Sequence, residues 1–419
     1  MKILHLSYSD YKGGAARAVK RIHNSLLRSN VNSYLKVNLS SESAGIKNII
    51  GPKNIFERYK NLLKAAIGSR LGLFLRNNDF VIHSLSILPS YYHKFINSSD
   101  YDLVNLHWIC GEMMSIEDIS RIKKPIVWTL HDMWPFCGAE HFTFDETWKS
   151  GYNSNIRKSD ENFFFNLNKY IWRKKLKLWK KPMHIVGVSQ WISQCAKDSI
   201  LMKNFPIITI NNTLDTNFWK PGSQSAARKY FNLPMEIKIF GYGSLGYKNS
   251  SLKGKDLFLS SLKYLKFKKN KFAIFAIGDG NEFLEELEGI KIFRTKRIDN
   301  DSDMIKFYNA LDFVVVPSRL ESFGQTASEA ISCGKPVVCF NSTGLKDIIL
   351  HGKNGWLADS YNTKRLAEGI DFFLELSDAD YKKFSKNSRQ IALKKFSYEI
   401  ISKKYIKLYS EIINSKYKL

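Results

Sequence analysis

The chain has 419 residues, more than a single hydrophobic core usually serves, so two domains are expected. Its hydrophobic content of 44% is that of a globular protein, and no window reaches the roughly 18 uninterrupted apolar residues of a membrane span. The formal net charge of +25 would attract polyanions, such as nucleic acid, anionic lipid surfaces or phosphorylated small molecules.

The amino terminus and the cysteines bear on where the protein works. The first apolar stretch, in MKILHLSYSD, is too short for the hydrophobic part of a signal peptide and predicts a buried first strand. The five cysteines are odd in number, scattered and without a CxxC pair. These features favour reduced thiols and a cytoplasmic location over a disulfide or zinc framework.

The first half of the chain alternates strand-like and helical segments, which predicts a parallel sheet covered on both faces. The clearest predicted helix covers residues 14–29. The predicted strands cover residues 2–8, 34–37, 103–108, 125–131 and 184–189.

A basic segment with aromatic residues, 157–182, lies within this half. It carries nine lysines and arginines against two acids. Its aromatic residues include Phe163, Phe164, Phe165, Trp172 and Trp179. A basic helix of this kind suits contact with an anionic bilayer, and it equally suits packing of the aromatic rings on the domain beneath. The carboxy-terminal segment is basic as well.

Asn, Pro and Gly interrupt the pattern around 211–222, after which the strand-helix series starts again. The predicted strands of this second half cover residues 237–244, 272–280, 291–297, 313–318 and 336–341. The sequence therefore predicts an α/β protein with two consecutive doubly wound halves and a ligand cleft between them. We place the domains at residues 1–220 and 221–395, with 396–419 as a helix that packs back on the first domain.

Ligands of such sheets bind at the carboxyl ends of the strands, so the residues that follow each strand are candidates. Gly13 and Gly14 follow the first strand and suit an anion at a helix start, or serve only the turn. His131 ends another strand as a hydrogen-bonding or catalytic group, or as a structural histidine. Lys253 suits a diphosphate or is a surface lysine, and Gly278 suits close ligand approach or an ordinary turn.

The stretch PSRLESFGQTASEAISCGKP predicts a loop and then a helix that begins near Gln325 or Thr326. The amides of its first turn would suit a phosphate. Glu329, about one turn or 5 Å further along, could accept two hydrogen bonds from a ribose diol. Glu321 would reach the group on the other side of the phosphates. The alternative is a helix-dipole glutamate with an unrelated loop acid.

The segment 314–358 closely resembles the nucleotide-sugar site of the retaining glycosyltransferases of family four, the glycosyl transferases of group 1. Their mark is two glutamates separated by seven residues, which Glu321 and Glu329 match. The resemblance extends through KGGAARAV, WTLHDMWPF, HIVGVSQWI, NNTLDTNFWKP, LKGKDL and IGDG. The HDMWPF stretch resembles members that build bacterial surface polysaccharides.

The resemblance implies the GT-B fold, in which two Rossmann-like doubly wound domains face a central cleft. It assigns the donor ribose to Glu329, a hydroxyl of the transferred sugar to Glu321, and the leaving diphosphate to Lys253. It places His131 beside the transferred sugar. Further donor contacts would come from Gly13, Gly14, Gly278, Phe323, Gly324, Gln325 and Thr326.

The activity that the resemblance implies is transfer of a sugar from a nucleoside diphosphate, UDP rather than GDP, to a hydroxyl of a lipid-linked bacterial polysaccharide. O-antigen, capsule and exopolysaccharide are the expected products. The protein would work at the inner face of the plasma membrane as a peripheral protein on an anionic surface. We expect no cofactor, no metal and no nucleic-acid partner.

Two features depart from the family's pattern. Members commonly carry an arginine shortly before the lysine, whereas residues 241–244 read GYGS. The charge of the diphosphate would then be compensated by Lys253 with helix amides, or Lys248 would substitute for the arginine. Some relatives with HDMWPF have several cysteines soon after the motif, whereas only Cys137 is present here. The second departure weakens any inference of an acceptor shared with those relatives.

Three other interpretations compete with this one. The stretch DNDSD, residues 299–303, offers an Asp-x-Asp metal site on paper, but we favour a helix start that an Asp or Ser of this stretch caps. The charge alone suggests a nucleic-acid-binding protein, but the sequence carries no recognisable binding module. A catalytically silent donor-binding protein is disfavoured by the intact glutamate pair.

Overall fold

The computed structural model describes residues 1–41, 48–73, 81–152, 166–243, 251–267, 271–278, 283–287 and 289–416. The chain forms two compact units. Unit 1 comprises Met1–Thr213 and Tyr398–Leu419, and unit 2 comprises Leu214–Ser397. The boundaries lie within seven residues of those expected from the sequence (213/214 against 220/221). The difference arises because Trp219 is buried in unit 2, with its ring centroid 6.1 Å from that of Tyr308.

Fourteen strands are described. They are β1 (Lys2–Ser9), β2 (Asn32–Leu39), β3 (Ile49–Ile50), β4 (Leu103–Leu106), β5 (Ile126–Leu130), β6 (His184–Gly187), β7 (Ile207–Thr209), β8 (Lys238–Gly243), β9 (Phe272–Ile277), β10 (Phe283–Leu287), β11 (Ile290–Thr295), β12 (Phe313–Val316), β13 (Val337–Phe340) and β14 (Gly355–Ala358).

Thirteen α-helices are described. They are α1 (Gly13–Arg28), α2 (Ile55–Leu73), α3 (Tyr92–Ser98), α4 (Ile116–Ser120), α5 (Leu167–Leu178), α6 (Gln190–Asp198), α7 (Gln224–Tyr230), α8 (Lys255–Leu262), α9 (Asp301–Ala310), α10 (Gln325–Ser332), α11 (Thr363–Glu375), α12 (Asp378–Phe396) and α13 (Tyr398–Lys416). None of these described helices is both long enough and apolar enough to cross a membrane.

The sheet of unit 1 has seven strands in the order β3-β2-β1-β4-β5-β6-β7. All its pairs are parallel. Its central strands β1, β4 and β5 are almost fully buried, as expected of a parallel sheet, although they include buried polar residues such as His5 and Asn105. The carboxy-terminal helix α13 packs on α1 and completes this core, in which Ile401, Tyr405 and Tyr409 are fully buried beside Ile3 and Leu103.

The sheet of unit 2 has the order β10-β11-β9-β8-β12-β13-β14. Its pairs are parallel except for the edge strand β10, which runs antiparallel to β11. The core on one face joins aromatic rings, among them Phe240, Phe272 and Phe313, to apolar residues of α8 and α11.

The strand orders locate the crevices that such sheets offer to ligands. In unit 1 the direction of winding reverses between β1 and β4, and in unit 2 it reverses between β8 and β12. Open α/β sheets bind ligands at the carboxyl ends of strands at this reversal. The candidate residues before α1 and after β12 therefore lie where each sheet offers a crevice.

Four strands escaped prediction from the sequence, namely β3, β7, β10 and β14. The first two have only two and three residues. The sequence of β10, FLEEL, carries two glutamates, and that of β14 begins with glycine. All four are edge strands, which pair with another strand on one side only. An edge strand does not need the long apolar run of a central strand.

The bilayer interpretation of the basic aromatic segment is wrong for Trp172 and Trp179. Both side chains are buried, and the Trp179 indole nitrogen donates to the Ile116 carbonyl oxygen at 3.1 Å. Trp172 in α5 and Trp179 directly after it pack into unit 1, because a large aromatic surface gains more by burial than by exposure. Phe163, Phe164 and Phe165 lie outside the described residues.

Candidate functional site

Two residues that are far apart in the sequence meet in unit 2. The Lys253 ammonium donates to Oε1 of Glu321 at 2.6 Å. The Ser318 hydroxyl donates to the same oxygen at 2.9 Å. Within the described part of the chain, the hydrogen bonds of the Glu321 side chain all go to Oε1. The Oε2 atom therefore remains available to a ligand hydroxyl in that part of the structure.

Backbone contact between two loops brings this pair together. Gly254 has φ +67° and ends the loop before α8. A Cβ at Gly254 would overlap the carbonyl oxygen of Pro317, which only glycine avoids. The Arg319 amide donates to the Leu252 carbonyl oxygen at 2.9 Å. Lys253 thus lies between two residues that touch the loop after β12.

Arg319 fastens the same two loops through its side chain. Its guanidinium makes two hydrogen bonds to the Asp256 carboxylate, of 2.7 and 2.5 Å, and one to the Ser251 carbonyl oxygen at 2.8 Å. The hydrogen bond from Arg319 lowers the pKa of the Asp256 carboxyl group. Such bidentate geometry fixes orientation as well as distance. Arg319 is therefore a clamp for the Lys253 loop, a role that the sequence did not reveal.

Thr343 holds the backbone of Glu321 from the other side. Its hydroxyl accepts from the Glu321 amide at 3.1 Å, and the Gly344 amide donates to the Glu321 carbonyl oxygen at 2.9 Å. Thr343 has φ +48°, an unfavourable backbone conformation for a β-branched residue. Strain of this kind persists where surrounding structure imposes it, commonly at functional sites.

Helix α10 begins directly after this loop. Gly324 precedes it with φ +106°, and Gln325 and Thr326 are partly exposed in its first turn. The helix start suits an anion, because its first amides point outward and the helix dipole is positive there. The Phe323 ring is buried, with its centroid 5.4 Å from that of Phe396. Only its backbone remains available for a ligand.

Glu329 lies on the second turn of α10 and is 2% exposed. The Tyr308 hydroxyl of α9 donates to its Oε2 at 3.0 Å. A buried carboxylate needs such partners, because leaving it without hydrogen bonds costs several kcal/mol. Tyr308 is the second residue at this site that the sequence did not reveal.

The described contacts do not join Gly278 to this group. Gly278 directly follows β9, and its amide donates to the Thr295 carbonyl oxygen at 3.0 Å. The next residues of its turn, 279 and 280, lie outside the described residues, as does Lys248. The expected donor contact of Gly278 stays a prediction.

In unit 1, Gly13 and Gly14 open α1 at the carboxyl end of β1. Gly13 has φ +88°, which favours glycine at the turn into the helix. The Ser9 hydroxyl accepts from the amides of Tyr11 and Lys12, both at 3.2 Å. The glycines are exposed in a helix start that the preceding turn holds in place.

His131 is the end of a chain of three histidines in unit 1. Its Nε2 lies 3.0 Å from Nδ1 of His107, whose Nε2 lies 2.9 Å from Nδ1 of His5. His5 belongs to β1, and the other two directly follow β4 and β5. His5 and His107 are buried, whereas His131 is partly exposed. The sequence presented His131 as a lone histidine, because its partners come from other strands.

The hydrogen-bond chain and burial together fix what His131 can do. Burial lowers the pKa of His131 to about 4, and burial also lowers the pKa of His107 and of His5 well below the usual value. At neutral pH the three rings are uncharged, so each bond in the chain has one donor and one acceptor nitrogen. His131 is thus suited to hydrogen bonding rather than to carrying positive charge.

We expect unit 1 to lose stability as the pH falls from about 6.5 to about 4. The unfolded state takes up protons on these histidines in this range, whereas the folded state does not, so acid favours unfolding. His131 alone would contribute about 3 kcal/mol over the full range. Urea unfolding followed by tryptophan fluorescence at a series of pH values measures the loss.

The matched variants are His131→Gln and His351→Gln. His351 is exposed and lies in unit 2, outside the chain of three histidines, so its replacement serves as the control. His131→Gln should make the dependence shallower. An unfolding midpoint in urea that stays constant over this pH range would contradict the assignment of buried, neutral histidines.

The segment that begins with His131 is built into the core. The Asp132 carboxylate lies 2.5 Å from Nδ1 of His141, whose Nε2 lies 2.8 Å from the Ser84 hydroxyl. The buried Lys175 of α5 donates to the carbonyl oxygens of Trp134, Cys137 and Gly138. Burial lowers the pKa of Lys175 to about 7. This network anchors the loop on which His131 stands.

The stretch 299–303 forms a helix start, as predicted. The Asn300 side chain caps α9 by accepting from the Asp303 amide at 2.8 Å, so the capping residue is the asparagine rather than an aspartate or a serine. Among the described residues, no group of three or more His, Cys, Asp or Glu side chains is arranged to hold a metal ion.

The described groups fall into two sets, one in each unit. Unit 2 places a cation, a carboxylate and a helix start together, which suits a ligand with both a diphosphate and hydroxyl groups. Unit 1 places a neutral histidine and a glycine-rich helix start at carboxyl ends of its strands.

Residues 231–391 match the family model described as Glycosyl transferases group 1. An uncharacterised glycosyltransferase of Methanocaldococcus jannaschii is 32% identical over 170 residues, which are 38% of this chain and 45% of that protein. The N,N'-diacetylbacillosaminyl-diphospho-undecaprenol alpha-1,3-N-acetylgalactosaminyltransferase of Campylobacter jejuni is 31% identical over 163 residues, 39% of this chain and 43% of that protein. These matches thus span less than half the length of either relative.

Solved structures resemble the chain over nearly its whole length. HepE of Anabaena, in complex with UDP and glucose, matches with a TM-score of 0.63 at 18% identity, covering 98% of this chain and 99% of that one. This likeness identifies the GT-B fold that the sequence predicted, with two parallel-sheet α/β units.

Proposed function

Because residues 231–391 match the family model of the glycosyl transferases of group 1, we propose that the chain is a member of this family, that it transfers a sugar from a nucleoside diphosphate to a hydroxyl group, and that it retains the anomeric configuration. The site for the donor is the group formed by Lys253, Glu321, Glu329 and the start of α10 in unit 2.

The observation that carries the proposal is the ion pair between Lys253 and Glu321, 2.6 Å long and held by backbone contacts beside a helix start. In the proposed donor complex, Lys253 neutralises the leaving diphosphate, and Glu321 accepts from a hydroxyl of the transferred sugar. The amides at Gln325 and Thr326 face the phosphates. Glu329 accepts from the ribose, in an orientation set by Tyr308.

The chemistry proposed for these residues is electrostatic. The diphosphate gains negative charge as the sugar departs, and a fixed cation and helix dipole stabilise that charge without reorganising. No residue of the group is placed as a covalent nucleophile. The donor phosphate itself would assist deprotonation of the acceptor on the same face of the sugar. In this scheme Lys253 and the helix start neutralise the diphosphate, and no metal ion is needed.

The donor proposed is a UDP-sugar. HepE of Anabaena was solved with UDP and glucose, which supports UDP as the nucleotide for this fold. The hydroxyl assigned to Glu321 is common to several hexoses, so its carboxylate does not select one sugar.

The acceptor proposed is a lipid-linked oligosaccharide of a bacterial surface polysaccharide. The name of the Campylobacter jejuni relative specifies an acceptor on undecaprenol diphosphate, which supports a lipid-linked acceptor here. The net charge of +25 supports work at an anionic inner membrane surface as a peripheral protein.

Calorimetric binding of UDP and of GDP, with EDTA present, tests the donor site. We expect UDP to bind the wild type, and we expect Glu329→Ala to weaken binding by about tenfold or more, because it removes a charged hydrogen-bond acceptor. The control is Glu375→Ala, which removes an exposed carboxylate at the end of α11. Thermal unfolding of both variants shows whether they are folded.

Each outcome has a consequence for the proposal. Loss of binding in Glu329→Ala alone supports the donor site. Binding of GDP but not UDP would overturn the choice of nucleotide. Absence of binding by either nucleotide, or equal binding by a folded Glu329→Ala, would overturn the assigned site.

A further inference from the structure

Helix α2 turns its large apolar side chains towards solvent instead of towards the core of unit 1. Ile55 is 60% exposed, Phe56 80%, Tyr59 64% and Leu63 62%. Leu62, Ile67 and Leu71 of the same helix are also exposed. These residues recur every three or four positions, so they form one stripe along the outer side of a helix about 28 Å long.

The inner side of α2 carries small and polar residues. Gly68 and Gly72 are buried, and a Cβ at Gly68 would overlap the Glu112 side chain. The Asn61 amide nitrogen donates to the Asn38 carbonyl oxygen at 3.4 Å. The helix therefore lies close against unit 1 through glycines, which leaves its large apolar side chains outside.

Such an exposed stripe is unusual for a surface that remains in water. Large contiguous apolar patches on soluble proteins mark contact with another protein, a ligand or a membrane. The neighbouring chain carries more of the same surface. Ile82 is exposed beside His83, which lies near Gly72, and Tyr91 is exposed near Pro89, which the Lys64 ammonium contacts.

The charge along α2 selects among possible occupants. Residues 53–70 hold five basic side chains, Lys53, Arg58, Lys60, Lys64 and Arg70, and one acid, Glu57. The Glu57 carboxylate accepts from the Lys53 amide at 2.6 Å and lies 4.0 Å from the Lys36 ammonium. The surface around the stripe is therefore strongly positive.

A second copy of the chain would present the same positive surface, and like charges would oppose a symmetric contact. A nucleic acid would match the charge but not the seven apolar side chains. An anionic bilayer matches both, since apolar residues enter the acyl boundary while lysines and arginines meet the lipid phosphates.

We propose that α2 lies flat on the surface of an anionic bilayer and buries the stripe of Ile55, Phe56, Tyr59, Leu62, Leu63, Ile67 and Leu71 in it. This inference rests on the proposed function in one respect only. It takes the proposed peripheral membrane contact and assigns it to a helix of unit 1. It moves that contact from the basic aromatic segment around α5, whose Trp172 and Trp179 are buried, to a different helix.

The test is co-sedimentation of the full chain with phosphatidylcholine vesicles, with and without phosphatidylglycerol. We expect binding only to the vesicles that contain phosphatidylglycerol. The double variant Phe56→Ser, Leu63→Ser should bind those vesicles more weakly by a factor of about ten or more, because two large apolar side chains no longer enter the lipid. The matched control makes the same changes in unit 2, Phe218→Ser with Leu393→Ser, at residues that are 47% and 39% exposed.

Wild-type binding that the α2 variant loses and the control variant keeps supports the proposal. Equal binding by both variants, or no binding by the wild type, overturns it. Equal binding to both kinds of vesicle overturns the role of charge. A dimer of the wild type that the α2 variant abolishes, without vesicle binding, overturns the bilayer in favour of a second copy.

The same preparations separate this inference from the glycosyltransferase proposal. UDP binding by calorimetry should be equal in the wild type and the α2 variant, since the donor group lies in unit 2. Loss of vesicle binding with UDP binding intact isolates α2. Vesicle binding without UDP binding would leave α2 as a membrane contact and reject the donor site.

Discussion

Replacement of Glu321 by glutamine should lower sugar transfer by about 100-fold or more while the protein stays folded. The amide removes the negative charge that pairs with Lys253 and brings an NH₂ group towards the donors of Lys253 and Ser318. The Glu321 side chain is partly exposed on a loop, so the core of unit 2 is not disturbed. Turnover of a UDP-sugar, measured as release of UDP, gives the rate.

The control for this variant is Glu236→Gln, an exposed glutamate of the same unit that has no assigned role. Its turnover should equal that of the wild type. A Glu321→Gln protein with wild-type turnover would reject the role of Glu321. Equal circular dichroism and melting temperature in the two variants would exclude unfolding as the cause of a difference.

Gly254→Ala should destabilise unit 2 by about 2–4 kcal/mol and abolish donor binding. Two causes add. Alanine at φ +67° costs about 1–2 kcal/mol, and its Cβ must push the Pro317 carbonyl oxygen away. The second cause separates the two loops that hold Lys253 against Glu321. Urea unfolding gives the loss of free energy, and calorimetry with UDP gives the loss of binding.

Gly352→Ala is the matched control for the backbone conformation. Gly352 has φ +72°, and a Cβ there would meet nothing within 4 Å. Its replacement should therefore cost only about 1 kcal/mol and leave UDP binding intact. If Gly254→Ala costs no more than Gly352→Ala and still binds UDP, close contact between the loops does not place Lys253.

The sequence predicted the architecture well because the central strands are nearly continuous apolar runs. The segments around β1, β5, β9 and β12 could be placed within a few residues, and the order of segments implied two parallel sheets. The edge strands escaped because an edge strand needs no such run. The glutamate-rich β10 is the clearest instance.

The charged residues of the candidate site could be picked out from the sequence, but the residues that hold them in place could not. Glu321 and Lys253 stood out because each lies in a loop that follows a predicted strand. Arg319, Thr343 and Tyr308 did not, because each acts through contacts with residues distant in the chain. The aromatic residues of the basic segment left two interpretations open, and Trp172 in α5 and Trp179 directly after it are core residues. Helical periodicity identifies the apolar face of a segment, but it does not show whether that face packs on the domain or on another surface.

The return of α13 to unit 1 has a consequence for how the chain folds during synthesis. Unit 2 is continuous, so all of its residues have been made before the last helix is reached. Unit 1 waits for Tyr405 and Tyr409, whose hydroxyls meet Thr129 and Asn105 within its sheet. The part of the protein that is translated first is therefore completed last. Until then, the face of its sheet that α13 covers is a hydrophobic surface open to chaperones and to misassembly.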